Sequence, residues 1–163
     1  MSNFDKNRFC SNKQEYETPV ELFSSLNKEF NFDIDLAAND ENHKCEKWFG
    51  YKNNIFVDAL EQDWRGVCWL NPPYGSKKYK IGAWIKKAYY ASIVNDTTIV
   101  MLIPARTNTK WWHKFCMNAS EIRFILGRPK FKGCKYGLPQ PLAIVIFKRR
   151  FLGDEKKISS LAI

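Results

Sequence analysis

Residues 71–75 read Asn-Pro-Pro-Tyr-Gly and directly follow a short apolar run at 67–70. The motif brings a side-chain amide, a backbone carbonyl and an aromatic ring together where a strand is expected to end. Neither proline has an N–H, so the turn offers hydrogen-bond acceptors rather than donors. Acceptors beside a ring match the edge and the face of a flat group that carries an NH2, such as an adenine. A proline-rich turn with a packing tyrosine is the alternative, and the preceding strand and the Asn/Tyr bracket favour the functional interpretation.

The chemistry that these residue types support is the activation of an exocyclic amine. An adenine N6 amine is a poor nucleophile because its lone pair is delocalised into the ring. If the Asn71 Oδ1 and the Pro72 carbonyl accept both N–H hydrogens, they stabilise the positive charge that develops on the nitrogen. The Tyr74 ring would hold the base by stacking, which is worth about 1–3 kcal/mol in such contacts. Asn71, Pro72 and Tyr74 are therefore the predicted catalytic residues.

Hydrophobic periodicity predicts the elements that position this motif. Residues 18–21 (Thr-Pro-Val-Glu) predict a capping box with proline at the first helical position, and the helix should run to about Phe30. The same patterns predict strands at 32–38, 67–70, 98–103, 122–125 and 142–147, and helices around 81–89 and 112–115. This order of elements predicts an α/β fold with a mostly parallel central sheet flanked by helices.

Strand ends are the expected location of the site. In open α/β sheets, ligands bind beyond the carboxyl ends of the strands. Asp35, Asn71 and Pro104 each fall at a predicted strand end, so they are expected to line one crevice. The expected organisation is a flexible arm at 1–16, a minimal single domain at 17–150, and a C-terminal tail or docking strand at 151–163.

Composition limits the class of protein. A chain of 163 residues with 45% apolar and 15% aromatic residues suits one globular domain. No apolar run approaches the length of a membrane span, and the N-terminus lacks the basic-then-apolar order of a secretory signal. A cytoplasmic protein without a membrane partner is therefore expected. His43 and Cys45 lack a matching second pair, so no metal is expected either.

The charge balance points to a polyanionic partner. Lysine and arginine number 26 against 17 aspartate and glutamate residues, which gives a net charge of +9. A basic surface attracts phosphates through counterion release, although charge alone is equally consistent with a merely soluble basic protein. A nucleic-acid partner is favoured because aromatic residues lie among the basic residues of the sequence. These aromatic residues are Tyr74, Tyr79, Trp111, Trp112 and Tyr136.

Over nearly all of residues 16–148 the chain resembles the phage-type DNA N6-adenine methyltransferases, a branch of the S-adenosylmethionine-dependent amino-methyltransferases. The specific part is the Asn-Pro-Pro-Tyr motif at 71–74 and its order after Asp35 and Asp63. Weaker matches are Thr18-Pro19, residues 35–38, Lys44-Cys45, Asp63-Trp64, residues 104–107 and Gly127-Arg128. The resemblance implies a Rossmann-like methyltransferase fold, S-adenosylmethionine as methyl donor, and an adenine flipped out of DNA as the acceptor, in a phage or prophage protein.

The resemblance also implies where the methionine part of the cofactor lies. Thr18 and Pro19 are similar to the element that closes over this moiety, and Asp35 and Ala37 to the loop that lies against it. Residues 35–39 read Asp-Leu-Ala-Ala-Asn, where many relatives outside this branch carry glycines. Asp35 could instead cap a turn, and Thr18 could simply cap its helix.

Three acids are candidates for the rest of the cofactor. The resemblance suggests that Asp58 hydrogen-bonds the ribose, with Glu41 as the substitute, and that Asp63 accepts a hydrogen bond from the adenine amine of the cofactor. For Asp58, a solvated surface carboxylate is nearly as good an interpretation.

Two basic segments, at 104–119 and 127–141, are predicted to contact DNA beside the base pocket. A solvated loop is the alternative for both. The predicted DNA-contacting residues are Pro73, Arg106, Asn108, Lys110, Trp111, Arg128 and Lys130.

Two rival functions remain open at the level of sequence. The same motif occurs in enzymes that methylate the side-chain amide of glutamine, and RNA is another possible substrate of a methyltransferase. The positive charge and the basic aromatic loops argue against a protein substrate. A DNA-binding protein without catalysis is the rival from another class. The recognition sequence, the preference for single or double strands and the oligomeric state are not encoded in any visible pattern.

Overall fold

The computed structural model describes residues 17–75, 80–131 and 140–162. These residues form one mixed α/β unit around an eight-stranded sheet. The strands are β1 (Ile34–Asn39), β2 (Trp48–Lys52), β3 (Ile55–Val57), β4 (Val67–Leu70), β5 (Thr98–Pro104), β6 (Glu121–Ile125), β7 (Leu142–Phe147) and β8 (Lys157–Leu161). The helices are α1 (Val20–Phe30), α2 (Ile81–Val94) and α3 (Lys110–Lys114), with short 3-10 turns at Ala59–Glu61 and Cys116–Asn118.

The strand order is β3-β2-β1-β4-β5-β7-β6-β8, and most of the strands run the same way. Neighbours are parallel from β2 through β1 and β4 to β5, and β8 is parallel to β6. β3 runs against β2, and β7 runs against both of its neighbours. The carboxyl ends of β1, β2, β4, β5, β6 and β8 therefore share one border of the sheet, called here the carboxyl edge. The predicted mostly parallel α/β architecture is confirmed.

The centre of the sheet is apolar throughout. β5 and β7 pair along their whole lengths, from Ile99–Phe147 to Pro104–Leu142, and every residue of β7 is buried. A continuous apolar run fits a strand that is covered on both faces. β4, which the Asn71 motif follows, pairs with the β5 side of this buried pair of strands.

The start of α1 differs from the prediction. Pro19 is the N-cap residue rather than the first helical residue, and no side chain caps the helix. The predicted capping box is therefore wrong. The Thr18 hydroxyl does not bond to the helix because it bonds to a residue on another element, which is described below.

One region gains strands that were not predicted, and for the C-terminal segment the docking strand is the alternative that is found. The polar stretch after β1 contains the β2–β3 hairpin, whose turn residues Asn53 and Asn54 both have positive φ, 50° and 64°. Tight hairpins favour asparagine at such positions. Within 151–163, β8 pairs with β6 from Glu121–Lys157 to Ile125–Leu161, so this part of the segment is a docked strand. Among the described residues, no helix combines the length and apolarity that crossing a membrane requires.

Candidate active site

The Asn71 motif lies at the point where the strand order turns back. After β1 the chain moves outward to β2 and β3, then returns to place β4 on the other side of β1. β1 pairs with β4 at Ile34–Cys68 and Asp35–Trp69, and it continues to Asn39 without further pairing to β4. Extending the register by two residues places Asn71 level with Ala37. Two parallel strands that part at such a switch point open a crevice at the carboxyl edge, which is where ligands bind in sheets of this kind.

Asn71 is held by a residue from the N-terminal part of the described chain. Its Nδ2 donates a hydrogen bond to the Thr18 Oγ1 at 3.0 Å. Thr18 is only 4% exposed and directly precedes Pro19, the N-cap residue of α1. The structure thus brings together two predicted site residues, one assigned to the cofactor and one to the catalytic amide.

An ion pair fixes the same segment from the other side of the crevice. The Lys44 Nζ lies 3.0 Å from the Glu17 Oε1, and both side chains are largely shielded from solvent. Lys44 belongs to the loop after β1, while Glu17 is the neighbour of Thr18. The entry to α1 is therefore tied both to the loop after β1 and to the turn after β4. The role of Lys44 was not predicted, because an ion pair across 27 residues leaves no local signal in the sequence.

Asp35 organises the loop that borders the crevice. It is 3% exposed, and its two carboxylate oxygens accept hydrogen bonds from the backbone N–H groups of Ala37 and Lys44, each at 3.1 Å. Burial raises the pKa of this carboxyl to about 6, against the opposing effect of these two hydrogen bonds and of the charges on Lys44 and His43. Asp35 is the second residue of β1 rather than its last, so its predicted position at the strand end is wrong. Its side chain fixes the backbone of Ala37 within β1 and of Lys44 in the loop after β1.

The two acids predicted to bind the cofactor lie in different environments. Asp58 is buried, and its Oδ1 accepts a hydrogen bond from the Leu60 N–H at 3.0 Å, which caps the 3-10 turn. The Asp63 side chain is 80% exposed and lies 3.5 Å from the Arg65 guanidinium. Glu41, the substitute for Asp58, is also exposed. Burial therefore distinguishes Asp58 from Glu41, its substitute for the ribose, while Asp63, predicted for the adenine amine, is exposed.

Tyr74 is fixed in orientation by the central strands. The residue is 9% exposed, and its hydroxyl donates a hydrogen bond to the Leu102 carbonyl of β5 at 3.1 Å. Pro72 beside it is buried, whereas Pro73 is half-buried. The motif therefore packs against β5, and the hydrogen bond fixes the position of the hydroxyl end of the ring.

The loop after β5 projects cationic side chains from the carboxyl edge. Arg106, Asn108 and Lys110 are exposed. The Arg106 guanidinium donates a hydrogen bond to the Gln140 Oε1 at 3.2 Å, and the Ala105 N–H donates one to the Pro141 carbonyl at 2.9 Å. This loop is thereby connected to the segment that enters β7.

The remaining predicted DNA contacts divide into exposed and packed residues. Arg128 and Lys130 are exposed in the segment that follows β6. Trp111 is half-buried and packs against the first turn of α2, since a Cβ added at Gly82 would lie 3.6 Å from its ring. Trp111 therefore has a packing role in addition to any contact with DNA. The predicted ring and charge contributions of Tyr79, Lys132, Lys135 and Tyr136 lie outside the described residues.

One buried donor near the site has no partner within the described ranges, namely the Trp84 Nε1. Trp84 lies in the first turn of α2, the helix that follows the Asn71 motif, and its ring stacks on Trp64 with centroids 6.3 Å apart. The Trp64 Nε1 donates to the Ala59 carbonyl at 2.8 Å, beside the turn that Asp58 caps. The sequence predicted Trp84 as a core residue because of its helical spacing, and periodicity gives no signal for an unpaired indole N–H.

Comparison with known proteins gives consistent results. Residues 6–159 match the model of a family described as DNA N-6-adenine-methyltransferase (Dam). A DNA N-6-adenine-methyltransferase of Haemophilus phage HP1 (strain HP1c1) is 32% identical over 118 residues, which are 71% of this chain and 64% of that protein. A DNA N-6-adenine-methyltransferase of Escherichia phage T1 is 33% identical over 113 residues, 68% of this chain and 44% of that protein. The matched part of the chain thus spans less than two thirds of the length of either relative.

Proposed function

The chain belongs to the DNA N-6-adenine-methyltransferase family, and on that premise we propose that it transfers a methyl group from S-adenosylmethionine to the N6 amine of adenine in DNA. The observation that carries the proposal is the position of the Asn-Pro-Pro-Tyr motif, which lies directly after β4 with Asn71 level with Ala37 in the second half of β1. The order β3-β2-β1-β4-β5 agrees with that of a doubly wound sheet, apart from the reversed β3, and supports a Rossmann-like methyltransferase fold.

The motif would act on the amine through hydrogen-bond acceptors. The Asn71 Oδ1 and the Pro72 carbonyl accept hydrogen bonds from the two N–H groups of the amine. These bonds draw the nitrogen lone pair out of the ring and stabilise the positive charge that develops on the nitrogen as the bond to the methyl group forms. No side-chain nucleophile is needed. The Tyr74 ring holds the flipped base by stacking, and its hydrogen bond to Leu102 fixes the hydroxyl end of the ring against β5. A base that leaves the duplex costs roughly a few kcal/mol, which this contact partly offsets.

The residues around the crevice fit S-adenosylmethionine, which supplies an electrophilic methyl group on a sulfonium. Thr18, Pro19, Asp35 and Ala37 would lie beside the methionine part. The loop backbone there is already ordered by the Asp35 carboxylate, which supports this assignment.

The adenosine part would lie toward the turn capped by Asp58. The buried Asp58 carboxylate and the Trp84 Nε1, which has no partner among the residues that the structure describes, provide an acceptor and a donor in this region, which suits a nucleoside. Asp63 stays a prediction for the adenine amine, and its exposed carboxylate gives that role no support.

DNA would bind along the carboxyl edge. The exposed cations of the two segments after β5 and β6 lie at the same border of the sheet as Asn71, and we assign phosphate contacts to Arg106, Lys110, Arg128 and Lys130, with Pro73, Asn108 and Trp111 nearer the base. DNA affinity should then fall steeply with salt, because each neutralised phosphate releases counterions. A flat salt response would contradict the assignment. The phage origin of both relatives supports action in the cytoplasm of a bacterial host.

The test uses labelled S-adenosylmethionine with three acceptors in parallel: plasmid DNA that lacks N6-methyladenine, total RNA, and a protein extract. Label in DNA, recovered as N6-methyladenine after digestion, is the expected result. Label in RNA or protein alone would overturn the substrate, and label in none of them would favour a DNA-binding protein without catalysis. Sequencing that maps methylated adenines in the product would then identify the recognition sequence.

A further inference from the structure

The catalytic amide is anchored by a hydroxyl from a distant part of the chain. The Asn71 Nδ2 donates to the Thr18 Oγ1 at 3.0 Å across a separation of 53 residues. We propose that Thr18 is a positioning residue that holds the Asn71 carboxamide in its reactive orientation, an inference that rests on the proposed function.

The two ends of a carboxamide have nearly the same shape and opposite hydrogen-bonding character. An amine that donates hydrogen bonds from both of its N–H groups needs the oxygen end of the amide as an acceptor. With Nδ2 directed at Thr18, Oδ1 points to the other side of the amide. A carboxamide free to turn would spend part of its time presenting N–H groups to the N–H groups of the substrate. Acceptors that are already oriented need no reorganisation as charge develops, which is the source of their catalytic effect.

Thr18 is itself held rigidly enough to act as a fixed reference. The neighbouring Glu17 is paired with Lys44, and Pro19 caps α1, where its carbonyl accepts from the Phe23 N–H at 3.1 Å. Thr18 is buried, and α1 has no side-chain cap, so its hydroxyl is not needed by the helix. The hydroxyl that the sequence assigns to the helix is therefore used for the site.

Single-turnover methylation at saturating cofactor and DNA tests the proposal. Thr18→Val removes the hydroxyl at nearly constant volume, and the methyl-transfer rate should fall by about 10- to 100-fold, as expected for a misplaced catalytic group. The fall in the rate should exceed any change in the dissociation constants for DNA and for S-adenosylmethionine, beside whose methionine part Thr18 is placed. Thr18→Ser, which restores the hydroxyl, should recover the rate to within about threefold.

Thr97 provides a matched control, because it is a fully buried threonine whose hydroxyl bonds to the Trp64 carbonyl away from the crevice. Thr97→Val should lower stability and leave the single-turnover rate unchanged. If Thr18→Val does not fold, Thr18→Ala carries the same expectation and Thr18→Ser still must retain the rate.

Two results would overturn the inference. An unchanged rate in Thr18→Val shows that Asn71 needs no anchor. A loss that appears equally in the dissociation constant for S-adenosylmethionine shows that Thr18 acts on the cofactor instead. A wild-type chain that does not methylate DNA would contradict the proposed function, which is a different outcome from either of these.

Discussion

The centre of the sheet buries apolar side chains, whereas the crevice beside it buries polar ones. β5 and β7 bury apolar side chains along their whole paired length, whereas the residues assigned to the crevice include the buried polar side chains of Thr18, Asp35 and Asp58. Polar groups are costly to bury unless each finds a partner. The crevice meets this cost with bonds between segments far apart in the chain, and the centre needs no such bonds. Substitutions at the crevice should therefore mainly alter the rate of methyl transfer, and substitutions in the centre should mainly alter the free energy of unfolding.

The sharpest test of this division is Asn71→Ala. Removal of an acceptor that stabilises developing charge should lower the methyl-transfer rate by about 10²–10³-fold. Affinity for S-adenosylmethionine should persist, and the midpoint of unfolding should stay close to that of the wild-type chain. Single-turnover kinetics, calorimetric binding and thermal unfolding measure the three quantities. Near-normal turnover in this variant would refute the acceptor role.

Ile144→Ala makes the opposite change in the centre. Ile144 is fully buried in β7 and pairs with Leu102 of β5. Loss of its side chain should lower the free energy of unfolding by about 2–5 kcal/mol through lost burial and a residual cavity. The rate per folded molecule should stay within about twofold of wild type. Denaturant unfolding checks the first value, and active-site titration with the cofactor normalises the second. A stable but slow variant would show that the two regions are not separable.

The same division explains which features the sequence could predict. The apolar runs of β5 and β7 and the strand before Asn71 are local patterns, so they were predicted near their observed positions. The bond between Thr18 and Asn71 spans 53 residues, and no local pattern encodes it. The capping box at Thr18 was wrong for the same reason, because the local rule could not include a competing partner after β4.

The acids and the hairpin illustrate two further limits. Asp58 and Asp63 have the same side chain and lie five positions apart, yet one is buried and the other exposed, and no local pattern in the sequence signals this difference. The β2–β3 hairpin was missed because its strands are half exposed and carry no clear alternation of apolar residues. Its Asn53-Asn54 turn was the available signal.

Asp35→Asn tests how the crevice tolerates a buried charge. The folded-state pKa of about 6 lies above the ordinary value of 3.8 for an aspartate, so between these values the folded chain binds more protons than the unfolded chain. Stability should therefore fall as pH rises through this window, by at most about 3 kcal/mol from this group. The variant should lose that slope. Its amide also replaces one acceptor by a donor, so it should be less stable than wild type near pH 4, by an amount that shrinks toward pH 7.

Denaturant unfolding of both proteins at several pH values between 4 and 7 checks this expectation, since the contributions of other groups cancel in the difference. Parallel pH profiles for the two proteins would contradict the burial of an ionised Asp35.

Tyr74 contacts both the crevice and the centre of the sheet, so substitutions of this residue can separate the two roles. Its phenylalanine variant is expected to have the smallest effect. Its ring is assigned to the base, while its hydroxyl donates to the Leu102 carbonyl in the centre. Tyr74→Phe should therefore cost only about 1 kcal/mol of stability, the usual value of a lost hydrogen bond, and keep methylation within about threefold. Tyr74→Ala removes the stacking surface as well and should weaken capture of the base much more than binding of the cofactor. Equal DNA affinity and turnover in the phenylalanine and alanine variants would show that the ring serves the core alone. Equal and large losses in both would show that the anchor to β5, rather than the ring face, is what the reaction needs.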